Sequence, residues 1–170
     1  AICYGEGEAY DESRYRKLQS DLLKLVEEYY AQEAFEANPI HKANYLLQTI
    51  YDKGLDALQS SALKTSKRLI EEQVLKPASF YYYQYELEQS TYDLNRQKIE
   101  RSSKTNIESI ALNLDRFYLA VKLRYYCTVL NHEHLTAINY KMLFIDEIIE
   151  HVEKHDYSNV PPIVIYYQIL

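Results

Sequence analysis

Only three of the 170 residues are glycine, and two of those, Gly5 and Gly7, fall within the first seven positions. Tight hairpin turns, phosphate-cradling loops and hinged lids all draw on the positive-φ conformations that glycine supplies at little cost. A chain so poor in glycine has almost no material for them. Nor does any stretch alternate apolar and polar residues between turn signals, as a half-exposed strand would. Helices remain, and the expected fold class is all-α. The chain is long enough to bury about 70% of its unfolded surface, so its core needs neither disulfide nor metal. No apolar run reaches the roughly 18 residues of a membrane span, so no membrane crossing is expected.

Apolar spacing lays out six to seven helices. The first is predicted over Glu12–Glu36, with Tyr15, Leu18, Leu22, Leu25 and Tyr29 turned inward at alternating steps of three and four. Asn38-Pro39 ends it and opens a second helix, because proline favours a first turn and keeps its predecessor out of the α region. That helix carries Ile40, Ala43, Leu47 and Tyr51 on one side and stops at Gly54. A third helix follows, with Leu55, Leu58, Ala62, Leu69 and Val74 inward, and Lys76-Pro77 closes it. The fourth, Ala78 to Glu100, has two apolar sides: Phe80, Tyr83, Leu87 and Leu94 on one, Tyr81, Tyr85, Tyr92 and Ile99 on the other. Ser102-Ser103 separates it from a fifth helix, Lys104 to Asn131, which also has two stripes. Ile107, Ile110, Leu114, Phe117, Val121 and Tyr125 form the first, and Leu112, Leu119, Leu123, Tyr126 and Leu130 the second. A helix apolar on two sides is expected between two layers. A loop over Asn131–Thr136 leads to a sixth helix, Ala137 to His155, with Ile138, Met142, Ile145, Ile149 and Val152 inward. Pro161-Pro162 starts the last.

Short connections and two sandwiched helices favour antiparallel helix-turn-helix hairpins stacked as an α-solenoid, with a closed helical bundle as the alternative. Residues 1–170 are expected to form a single all-helical domain. The chain opens on Ala1 and closes on the apolar run Val164–Leu170, which suggests a piece of a longer helical protein or a terminal helix that docks on a partner. Tyr45–Pro77 places Leu46, Tyr51 and Gly54 where a tetratricopeptide hairpin has a large apolar residue, a tyrosine and a small residue, but the following helix departs from that pattern. The segments Ser20-Asp21-Leu22-Leu23-Lys24-Leu25 and Leu114–Arg124, with the closing Ile165-Tyr166-Tyr167, resemble stretches of uncharacterised bacterial all-helical proteins that are tetratricopeptide-like. The resemblance implies an α-solenoid that continues past residue 170, and no activity.

Charge and chemistry narrow the function by exclusion. Net charge is −6, which argues against a nucleic-acid partner and against an anionic membrane surface. Residues 1–36 carry nine acids against four bases; residues 96–124, with seven bases against three acids, are the only basic stretch, and apolar positions interrupt it. Cys3 and Cys127 fit no metal or redox spacing, and the acidic start has no secretory pattern, so a reducing cytoplasm is the expected compartment. His151 and His155, with Glu147, share a helix side that points to water, where nothing orients imidazoles for a metal. His132 and His134 are expected in an exposed loop. No glutamate has a histidine three residues later, so a di-iron bundle fails on spacing. There is no nucleophile elbow, and the neighbouring acids Glu27-Glu28, Glu71-Glu72 and Asp146-Glu147 diverge by 100° on a helix. No catalytic residue, cofactor or metal is therefore expected.

Nineteen tyrosines remain to be explained. Phe80-Tyr81-Tyr82-Tyr83-Gln84-Tyr85 surrounds one turn with aromatic rings. Tyr83, Tyr118 and Tyr125 share their helices' main stripes and are expected in the packing. Tyr81, Tyr82, Tyr85 and Tyr92 are the expected contact surface for a protein or peptide partner, since tyrosine offers a large contact area for little rotamer entropy. The function expected is that of a non-enzymatic helical-repeat scaffold; the alternative is a helical domain with a small-molecule or metal pocket.

Overall fold

A computed structural model describes residues 11–95, 106–136 and 138–170. Gly5, Gly7, Cys3, Ile99, Glu100, Ser102, Ser103, Lys104 and Ala137, on which some of the expectations rest, lie outside these residues. Among the described residues there are seven α-helices and no strand: α1 Glu12–Glu36, α2 Pro39–Lys53, α3 Asp56–Glu71, α4 Ala78–Asn95, α5 Ile107–Thr136, α6 Ile145–Lys154 and α7 Pro161–Ile169. The chain divides into two compact units, Ala1–Lys42 and Ala43–Leu170, with the unit boundary inside α2.

In the first unit, Asp11 caps α1 by accepting from the Ser13 and Arg14 amides at 2.9 and 3.2 Å. Asn38 does the same for α2, its side-chain oxygen accepting from the His41 amide at 3.1 Å while Pro39 takes the first helical position. Lys42 pairs with Glu36 and holds its ammonium 6.0 Å from the Phe35 ring, which ties the end of α1 to the start of α2. Along its 25 residues α1 has no buried side chain. The inward stripe expected at Tyr15, Leu18, Leu22, Leu25 and Tyr29 is thus exposed throughout, because nothing in its own unit lies against it.

The second unit is organised around α5. It pairs most extensively with α4, and also packs on α7 and α6, while α3 packs on α4. Its buried apolar residues are Leu119 and Leu123, from the second of the two expected stripes, and Ala120, which is in neither. Of the first stripe, Ile107, Leu114 and Tyr125 are exposed. In α2, Ala43, Leu47 and Ile50 are buried, and Tyr51 turns outward where Ile50 turns in. Gly54 then ends the helix at φ +63°. The Leu55 amide bonds the Ile50 carbonyl at 3.0 Å and the Gly54 amide bonds Tyr51 at 3.2 Å, closing the last turn.

Three expected helix faces or boundaries are corrected. The buried face of α3 is Gln59, Ala62, Ser66 and Ile70, with Leu55 and Leu58 exposed. The two polar members are satisfied: Ser66 donates to the Ala62 carbonyl at 3.0 Å, and Gln59 donates to the Leu94 carbonyl of α4 at 3.4 Å. α5 continues to Thr136, so His132 and His134 are on its last turns and not in a loop. α6 begins only at Ile145. The preceding segment, 138–144, is non-helical and ends in Phe144 at φ 63°, a left-handed position that stops any helix from running through it.

Candidate functional site

The aromatic turn of α4 faces α5 more than it faces water. Tyr81 is 3% exposed, with Phe80 edge-on at 5.3 Å and the Arg116 guanidinium of α5 6.0 Å from its ring. It is a core residue, and the expected contact surface loses it. Its hydroxyl is buried with no hydrogen-bond partner among the described residues, and burial raises its pKa. Tyr82 is half-buried, its ring 5.2 Å from Phe117 of α5 and 6.2 Å from Tyr85. Tyr82, which is in neither of the two expected apolar sides of the fourth helix, thus packs against α5 as well. Tyr85 and Tyr92 are half-buried as well.

A polar network joins α4 to α2 beside these rings. Asn44, almost wholly buried, donates to the Tyr83 carbonyl at 3.0 Å and to a Glu86 carboxylate oxygen at 3.3 Å. The Tyr82 hydroxyl also donates to Glu86, and that bond to a carboxylate, with burial behind it, pushes the Tyr82 pKa up to about 12. Hydrogen bonding of this kind fixes how two helices meet.

His132, His151, His155 and the described cysteine make local contacts. His151 and His155 stack at 4.1 Å between ring centres, and His151 Nε2 lies 2.8 Å from the Tyr157 hydroxyl. His132 is 3.0 Å from the Tyr140 hydroxyl, while the Glu133 carboxylate accepts from the Tyr140 amide at 2.7 Å. Among the described residues no three His, Cys, Asp or Glu side chains converge as metal ligands would. Cys127 donates to the Tyr166 carbonyl at 3.4 Å, and burial pushes its thiol up in pKa, the opposite of an activated nucleophile.

Two surfaces among the described residues bear on function. The first is α1, where Leu22, Leu25 and Tyr29 are each 62% exposed and Leu18, Leu23, Val26 and Tyr30 are exposed beside them. Tyr29 and Tyr30 meet edge-on at 5.6 Å. Two heptads of apolar residues on the outside of one helix form a seam of the kind a partner helix fills. The sequence pattern contained this surface but read it as core. The second is a cleft of about 420 Å³ in the second unit. Lys76 and Pro77 before α4, Arg124 of α5, and Pro161, Ile165 and Tyr166 of α7 line it.

No protein-family model, curated protein or solved structure matches the chain. Among the described residues no helix is long and apolar enough to cross a membrane.

Proposed function

We propose that this protein is a helical interaction module that works by docking another protein, not by catalysis, and that α1 is the arm it docks with. The exposed stripe of α1 carries the reading. A helix of 25 residues that buries none of Leu18, Leu22, Leu25 and Tyr29 leaves apolar area in water, and covering it is the largest favourable term available to the unit. On this reading the hairpins of the second unit are a tetratricopeptide-like support in a cytoplasmic protein, and Tyr82, Tyr85 and Tyr92 are a lesser contact patch.

Exchanging Leu22 and Leu25 for glutamate tests it. The double variant keeps its melting temperature and loses the proteins that the wild-type chain captures. A capture profile that does not change, or a collapse in stability, removes α1 as the docking arm.

The cleft beside Arg124 favours a second reading, a pocket for a small ligand with an apolar body and an anionic end that the cations Lys76 and Arg124 would attract. A thermal-shift screen tests that reading, since a ligand at 100 times its dissociation constant adds about 2.7 kcal/mol. Replacing Arg124 by alanine would abolish such a shift.

A further inference from the structure

The cleft of the second unit has a charge that the chain as a whole does not. Net charge is −6, yet the residues that line the cleft include two cations, Lys76 and Arg124, and no acid. Among the described residues neither cation is in an ion pair. Each lies against a ring instead: the Lys76 ammonium is 5.5 Å from the centre of Phe80, and the Arg124 guanidinium 4.9 Å from that of Tyr125. A ring can orient a cation, but it accepts none of its N–H bonds as an anion's oxygens would.

The helices around the cleft add to the same sign. The starts of α4, at Ala78 and Ser79, and of α7, at Pro161 and Pro162, both line it, and neither helix has an acid in its first turn. A helix start carries partial positive charge that such an acid would offset. Pro161 and Pro162 have no N–H, so the α7 side is rigid and apolar and offers an anion no amide there. One part of the cleft thus suits a charged head and another an apolar body.

The donors narrow the head. A carboxylate has one charge and two oxygens, which the planar fork of one arginine can occupy alone. A phosphate monoester carries close to two charges near neutral pH and has three terminal oxygens, enough for the Arg124 fork and a further bond from Lys76. We infer that the cleft binds a small phosphate monoester, its phosphate held by Lys76 and Arg124 and its apolar body against Pro161, Pro162 and Ile165. At about 420 Å³ the cleft is within the range of roughly 300–1,000 Å³ common to small-molecule sites. This inference rests on the reading of the cleft as a pocket for an anion-ended ligand and names the anion.

Amide chemical-shift titration of the full chain with phenyl phosphate, benzoate, benzamide and inorganic phosphate, each into the millimolar range, tests it. Phenyl phosphate should shift the amides of Lys76, Ser79 and Arg124 and bind about fivefold more tightly than benzoate, the worth of one more exposed charge contact. Inorganic phosphate, without the body, and benzamide, without the charge, should bind more weakly still. Lys76 and Arg124 are exposed, so replacing either leaves the fold intact. Lys76→Ala should weaken phenyl phosphate about fivefold and leave benzoate unchanged, whereas Arg124→Ala should abolish saturation by both. Benzoate as tight as phenyl phosphate, or a phenyl phosphate affinity that Lys76→Ala does not change, overturns the inference and keeps the anion-ended reading. Inorganic phosphate as tight as phenyl phosphate overturns both, because the body then contributes nothing. No shift at the cleft with any of the four also overturns both.

Discussion

α1 and α5 are the two longest described helices, and both carry apolar residues along their length, yet they meet different fates. α5 has α4, α6 and α7 around it and buries Leu119, Ala120 and Leu123. α1 buries nothing. Hydrophobic periodicity reports that a helix has a face to cover. It does not report what covers it, and a stripe meant for a second molecule reads the same as a stripe meant for the core.

The sharpest way to break this contrast is to truncate one leucine in each helix. Leu123→Ala removes a fully buried side chain and should cost about 2–5 kcal/mol of unfolding free energy in urea. Leu22→Ala, measured where the chain is dilute, should change it by less than about 0.5 kcal/mol. Equal losses would mean that α1 is core. Gly54→Ala comes next. A Cβ there meets no atom within 4 Å, so the cost is the left-handed backbone alone, about 1–2 kcal/mol by the same titration. A loss much beyond that would reveal packing at Gly54.

Tyr81→Phe should leave stability unchanged or raise it by about 1 kcal/mol, because it removes a buried hydroxyl without a partner among the described residues. A clear loss would show that the hydroxyl is bonded. The smallest effect belongs to Tyr82, and it is confined to alkaline pH. Its pKa of about 12 in the folded chain exceeds the unfolded value of 10, so the unfolded state releases its proton first. The stabilisation from Tyr82 is complete below pH 10 and is lost as pH rises from 10 through 12. Compared with wild type, Tyr82→Phe should flatten the fall in melting temperature across that window, and an identical fall in both proteins would contradict the bond to Glu86.

Much of the fold was legible. Pro39, Gly54 and Pro161 mark helix ends because each makes a local backbone choice that no distant contact overrides, whereas α3 stops at Glu71, well before the Lys76-Pro77 expected to close it. The rest depended on contacts that sequence does not display. Gln59 and Ser66 are buried in α3 because carbonyls lie within reach, and a polar residue gives no apolar signal. Residues 138–144 have helical spacing and no breaker, yet Lys122 donating to the Leu143 carbonyl at 2.9 Å and Phe144 in the left-handed region hold them out of α6. The candidate site shows the same limit. Four tyrosines on one helix attracted notice by composition, and Tyr81 became core because Phe80 and Arg116 close over it. The leucines of α1 passed as core because they are ordinary.

Amide hydrogen exchange along the chain, followed at low and at high protein concentration, tests the central claim most directly. Amides around Leu119–Leu123 should be protected equally at both concentrations. Those of Leu18–Tyr29 should exchange faster than these in dilute solution. Protection of Leu18–Tyr29 in dilute solution equal to that of α5 would contradict the account, since the stripe would then be covered by its own chain.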